Sequence, residues 1–231
     1  MSRRGMMGRG KATSLEPPVE KTELLFYAPL ITDKNPIFSW DGNLGIQQAG
    51  SCIIDAGTLY FASNGSTAIR WASSIKSGVN LTFSCIVKPT YSSGVNVMFG
   101  MLHQSITTRC SGLFLSKHVS HNYLGLISNY ISPFSGSPAP PFVTSGETAF
   151  VSWTIIFNGN SSYTVKYYNN GTLVHQVTVN QVDWLGVANN APGIGLSGNN
   201  SCAGRYSHFS IHEELSDTQI LALYQNGGIA M

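Results

Sequence analysis

Charge is what this sequence has least of. Lys, Arg, Asp and Glu together make up 10% of its 231 residues, well under half the usual share of a globular chain. Ser, Thr, Asn and Gly stand in their place, so the surface is expected to be neutral, polar and rich in turns. Such a surface lacks the like-charge repulsion that keeps small domains apart, which suits a protein held in an assembly or facing the exterior. The formal charge of +2 is unevenly placed: Arg3, Arg4, Arg9, Lys11 and Lys21 all precede the first apolar run, and the body is close to neutral. Phosphate binding needs clustered Lys and Arg, so nucleic acid is not an expected partner of the body; only the arm could contact it.

Other absences narrow the chemistry. No apolar run approaches membrane-spanning length, so no membrane partner is expected. The opening MSRRGMMGRGKATS is basic but lacks the apolar stretch of a secretory leader, and export by that route is not expected. Cys52, Cys85, Cys110 and Cys202 are far apart and form no zinc-type CxxC or CxxH. Cys85, inside the apolar run LTFSCIVK, reads as a small packed hydrophobe; disulfides among the others stay open. His118 and His121 make one His-x-x-His without a nameable third ligand, so the six histidines are expected to be exposed or hydrogen-bonded. There is no G-x-S-x-G elbow, and the glycines of residues 193–198 open no helix. The paired carboxylates of a glycosidase strand are missing too, since Glu213 and Glu214 are adjacent and point oppositely. The N-x-Ser/Thr triplets at Asn64, Asn80, Asn160, Asn170 and Asn199 read as turns. No catalysis is expected.

What is present is a locally specified β-meander at residues 153–179, WTIIFNGNSSYTVKYYNNGTLVHQVTV. Trp153, Ile155 and Phe157 share one face, and Tyr163, Val165 and Tyr167 repeat the alternation. Asn158-Gly159 supplies one turn and Asn170-Gly171 another, the strongest short hairpin signal. Upstream, residues 24–30 begin the first strand, and Trp40-Asp41-Gly42-Asn43 is a turn. Residues 57–61 and 67–71 flank Asn64-Gly65 and read as a second hairpin. Strands over 81–88, 95–102, 112–116 and 123–128 follow at sandwich spacing. Residues 131–148, with four prolines and no period, are a long loop of the kind that carries function. After strands at 193–196 and 205–211 comes one helix, 216–225. Ser216 and Gln219 form its capping box, Ile220, Leu223 and Tyr224 share a face, and Gly227 is the stop. Residues 1–23 have no periodicity and read as a basic extended arm, either a flexible terminus or, preferably, a tether to a partner.

Four segments in this order resemble the laminin G-like, concanavalin A-like jelly-roll family over roughly residues 24–228. They are LLFYAPL at 24–30, LTFSCIVKP at 81–89, the meander at 153–177, and the closing strand and helix at 209–224. The resemblance implies an all-β, antiparallel two-sheet sandwich with one short C-terminal helix, spanning residues 24–231 behind the arm at 1–23. It also implies adhesion or carbohydrate binding. The chain departs from the family at Ser207-His208, where an Asp-Glu pair is common, and at Cys85-Ile86, where an aromatic is usual. Calcium, which many relatives hold at the sandwich rim, meets only Asp41, Asn43, Asp183, Asn189 and Asn190 here, with no tight acidic cluster, so no cofactor is expected.

Sugar binding needs aromatic faces and amides. Tyr123, Tyr130, Phe134 and Trp184 lie in or beside expected loops, with Asn189 and Asn190 nearby, and are the candidate ligand residues. Arg3, Arg4, Arg9 and Lys11 are the candidate partner contacts of the arm. The expectation is a non-catalytic virion component, of decoration or fibre type, anchored by its arm to other virion proteins or to further copies of itself. The alternative is a glycan-binding adhesion module at a cell surface or outside the cell, and after it a glycan hydrolase.

Overall fold

The computed structural model describes residues 24–62, 67–74, 80–90, 95–102, 112–118, 123–127, 143–159, 162–180, 191–196 and 203–229. The strands are β1 (Leu24–Ala28), β2 (Phe38–Ser39), β3 (Ile46–Ala49), β4 (Ile53–Asp55), β5 (Thr58–Phe61), β6 (Thr67–Trp71), β7 (Leu81–Pro89) and β8 (Val95–Leu102). They continue with β9 (Gly112–His118), β10 (Tyr123–Ile127), β11 (Ala149–Gly159), β12 (Ser162–Asn169), β13 (Thr172–Asn180), β14 (Ala191–Leu196) and β15 (Gly204–Glu213), before helix α1 (Asp217–Gln225). Nine strands make one antiparallel sheet, ordered β13-β12-β11-β7-β15-β1-β2, with β5 on the first part of β15 and β4 on β5. Six make the other, ordered β10-β9-β8-β14-β6-β3. The two-sheet antiparallel sandwich with one C-terminal helix is therefore the architecture present.

Alternation decides which side chains enter the core. Phe83, Cys85 and Val87 of β7 and Val151, Trp153 and Ile155 of β11 face inward, against Ile69, Trp71, Phe99, Met101 and Ile194 of the smaller sheet. The Phe83 and Trp153 rings, cross-strand partners, stack at 4.1 Å and 7°. Phe209 sits among Phe26, Trp71 and Phe99 at 5.7, 5.5 and 5.8 Å between centroids. Each buried aromatic of this kind contributes about 1.5–3 kcal/mol of transfer free energy. Cys85 packs in this core, and Cys52 and Cys85 are both free thiols.

The meander forms as its sequence dictates: β11 pairs β12, β12 pairs β13, and Asn170 and Gly171 take φ of +49° and +76° at the turn. The capping box forms as well. Ser216 Oγ accepts from Gln219 N at 3.3 Å, and Ser216 N donates to Gln219 Oε1 at 2.9 Å. Ile220 and Leu223 bury against Phe150, Tyr168 and Leu215 on the outer face of the larger sheet. Asp217 does more than favour the helix dipole, because it accepts from Tyr168 Oη at 2.7 Å and Lys166 Nζ at 3.2 Å. The Asn80 triplet is structural: its amide donates to Glu214 and accepts from Phe157 N, and Thr82 is buried.

Two expectations are corrected. Residues 57–61 and 67–71 do not form a hairpin: β5 joins the larger sheet with β4 and β15, and β6 joins the smaller with β14 and β3. Leu59 and Phe61 then enter the core from one side, Ile69 and Trp71 from the other. The tight turn lies earlier, at Ala56-Gly57, with φ of +47° and +69°, closing β4 onto β5. The second correction is His212, which is neither exposed nor hydrogen-bonded. It is wholly buried on β15, and neither ring nitrogen has a hydrogen-bond partner among the described residues.

Candidate ligand-binding edge

The short strand β2 ends the larger sheet, and the chain then crosses to β3 at the edge of the smaller one. Along Phe38-Ser39-Trp40 the side chains alternate. Ser39 is buried, while Phe38 and Trp40 are exposed to 37% and 44%. A row of hydrogen bonds fixes this crossing to the end of β6. Asp41 Oδ1 accepts from Ser39 Oγ and from Asn43 N; Asp41 Oδ2 accepts from Ser74 N at 2.7 Å and Ser74 Oγ at 2.8 Å. The Trp40 indole donates Nε1–H to the Ser74 carbonyl at 2.9 Å. Asn43 Nδ2 donates to the Ala72 carbonyl at 3.2 Å, and its Oδ1 accepts from Gly45 N. Partial burial opposes ionisation of Asp41, but the bonds from Ser39, Ser74 and Asn43 outweigh it and hold the carboxyl well below the usual range. Trp40 is thus held in place by its own N–H while a large part of its ring meets solvent.

Phe38 lies opposite Tyr27 in register, close enough for the side chains to meet across the strands. Tyr27 is buried and its Oη is 2.7 Å from His208 Nδ1, with the two rings stacked at 6.2 Å and 17°. Burial pushes the Tyr27 hydroxyl up to about 12 and lowers the His208 pKa, so at neutral pH both are uncharged. Either tautomer of His208 satisfies the bond, and either leaves Nε2 outside it. His208 has φ +53° and sits at a register shift between Ser207 and Ser210, where β15 exchanges β5 for β1 as its neighbour. This bulge lies at Ser207-His208.

The arrangement offers one fixed aromatic face, Trp40, and a second exposed ring, Phe38, next in register to the buried Tyr27 of a neutral hydroxyl–imidazole pair. That chemistry suits apolar faces carrying hydroxyls, and the carboxylate of this crossing, Asp41, has both oxygens engaged. The same bonds commit Asp41 and Asn43, two of the rim residues considered for calcium. Among the described residues no group of three His, Cys, Asp or Glu side chains could hold a metal ion.

Of the candidate ligand residues, Tyr123 begins β10, paired with His118, at the edge of the smaller sheet away from β3. Tyr130, Phe134, Trp184, Asn189 and Asn190 lie outside the described residues, as do Arg3, Arg4, Arg9 and Lys11. Phe38, Trp40, Tyr27 and His208 are not among the ligand residues expected from the sequence. The available signal was a tryptophan directly before Asp-Gly-Asn, an apolar ring where a turn forces the chain to the surface.

No protein-family model and no curated protein matches the sequence. Solved structures do resemble it. One is a Trypanosoma rangeli sialidase in complex with 2,3-difluorosialic acid, with TM-score 0.66, 9% identity, and 92% of this chain covered against 34% of that one. Another is domain 4 of AbnA, a GH43 extracellular arabinanase from Geobacillus stearothermophilus, in complex with arabinotriose, with TM-score 0.59, 16% identity and coverage of 88% and 100%. A third is the binding domain of Paraclostridial Mosquitocidal Protein 1, with TM-score 0.56, 17% identity and coverage of 90% and 53%. The chain spans about a third of the sialidase's length and the whole of the arabinanase domain. At these identities the likeness is one of fold: this chain is a β-sandwich of the kind found in those glycan-related and binding-domain structures.

Proposed function

We propose that this protein is a non-catalytic carbohydrate-binding sandwich whose ligand lies against Trp40 and Phe38. One observation carries the reading: the Trp40 indole is exposed yet pinned by Ser74, so stacking a sugar face on it costs little conformational entropy. Across β1 from Phe38, the Tyr27–His208 pair adds neutral polar atoms of the kind that meet hydroxyls. The arabinanase domain, similar over its full length, holds arabinotriose in its own structure, which supports the ligand class. The test is a glycan array followed by calorimetry with its best ligand, starting from arabino-oligosaccharides and sialylated glycans. Trp40→Ala should weaken binding about 30-fold, the loss of about 2 kcal/mol expected of a central aromatic anchor, with a folded protein whose melting temperature falls only by the lost indole packing and its bond to Ser74. A blank array, or full affinity in Trp40→Ala, sinks the reading.

A second reading, a structural virion component joined to its neighbours through Arg3, Arg4, Arg9 and Lys11, is favoured by one further feature. Ile37 is 66% and Ile53 54% exposed, with Ile31 and Leu44 also in solvent, large aliphatic side chains of the kind an assembly covers. Deleting residues 1–23 should leave a folded domain that binds its glycan but no longer enters particles; normal incorporation of the truncated protein contradicts this reading.

A further inference from the structure

We infer that two copies of this chain join through the outer edge of β13, extending the nine-stranded sheet across a two-fold axis. An edge strand presents unpaired N–H and C=O groups, and proteins that stay monomeric shorten, charge or bend such edges. The other described edges are short: β2 has two residues, β4 three, β3 four and β10 five. β13 has nine, TLVHQVTVN, with no proline and no charged residue, and the sequence carries no Asp, Glu, Lys or Arg anywhere from Tyr167 to Val182. The edge carries one bulge, at Val174, the extra residue between Leu173 and His175 that face Tyr168 and Tyr167 of β12; from His175 to Asn180 it is regular and uncharged.

A second copy is the occupant that fits. Antiparallel pairing about a two-fold makes a strand its own complement, and an uncharged strand in a chain of net charge +2 repels its copy little. The apolar surface continues around the edge. Leu173 is 39% exposed at the start of β13, and Leu221 of α1, also 39% exposed, packs close to the Gly171 turn. A two-fold through the middle of β13 carries the Leu173–Leu221 corner of each copy toward the Thr178 end of the other. Gln176, exposed and opposite Lys166 of β12, then meets its own counterpart across the join, and Thr178, exposed and opposite Thr164, meets Val174 of the other copy.

The experiment is sedimentation velocity on the full chain from low to high micromolar concentration. The expected mass is twice the chain's 24.9 kDa, and Gln176→Lys with Thr178→Lys should return it to the single-chain value while glycan binding stays unchanged and the melting temperature falls only by the like-charge contact made with Lys166. A mass of one chain throughout, or an assembly of any size that survives both lysines in a folded protein, overturns the proposal. Should the lysine variant not fold, hydrogen exchange on the unaltered chain decides. Exchange at the β13 amides should slow with rising concentration, and concentration-independent exchange there overturns the inference.

Discussion

Tyr27 and His208, 181 residues apart in sequence, meet through a 2.7 Å hydrogen bond between Oη and Nδ1. The contact exists because β15 bulges at His208 as it passes from β5 to β1, turning a residue of positive φ toward the Tyr27 ring. Backbone strain and the side-chain bond therefore oppose one another at one residue. His208→Gly removes both and should change stability by under about 1 kcal/mol. His208→Val keeps the φ, adds a β-branch and loses the bond, and should cost about 2–3 kcal/mol. Urea denaturation of the two variants checks the order; equal losses would mean that the bulge is unstrained.

His212 should make the protein acid-labile. Burial lowers its folded pKa from 6.5 to about 3, so below pH 6.5 the unfolded chain binds a proton that the folded chain refuses. Stability then falls as pH drops, by about 1.4 kcal/mol per pH unit, until the folded state too is protonated near pH 3. His208, also lowered by burial, adds to the loss in the same direction. His212→Leu removes two unpartnered buried nitrogens and should be neutral or stabilising at pH 7, with a flatter profile between pH 4 and 6. Melting curves across that range would show an unchanged slope if the account is wrong.

Asp41 should matter to the site more than to the fold. Its folded pKa is depressed, so its stabilising effect is present at neutral pH and is lost as pH falls below its unfolded value of 3.8. Asp41→Ala releases Ser39, Asn43 and Ser74 together. It should cost about 1–2 kcal/mol and, by unpinning the crossing that carries Trp40, weaken the proposed glycan binding about tenfold. Tryptophan anisotropy and calorimetry read the two effects; unchanged affinity would detach Asp41 from the site.

Gly204 is the position where a methyl group should be least tolerated. It has φ +140°, and a Cβ there would lie 2.6 Å from the Lys88 carbonyl oxygen and 2.8 Å from Pro89 Cα. It is also paired with strands on both sides, Phe61 of β5 and Pro89 of β7, so neither neighbour can retreat freely. Gly204→Ala should cost about 3 kcal/mol or more. A shift of the urea midpoint equivalent to under about 1 kcal/mol would mean the backbone can relax there.

Residues 153–179 and 216–227 could be read directly because their structure is set by neighbours in sequence. Alternation chooses the buried face of β11 and β12, Asn170-Gly171 tolerates two positive φ angles, and Ser216 and Gln219 satisfy each other's backbone donors. What the sequence could not decide is which strand lies beside which. The β-propensity and turn residues of 57–71 are as consistent with a hairpin as with a chain that changes sheets, and only packing of Phe61 and Trp71 from opposite sides selected the second. The site depends on that same long-range choice. Trp40 is an anchored, exposed ring only because the end of β6 brings Ser74 to its indole, and Tyr27 gains its imidazole only because β15 lies beside β1. Local sequence determined the elements and their inward faces; tertiary structure decided their partners, and with them which aromatic rings were left facing water.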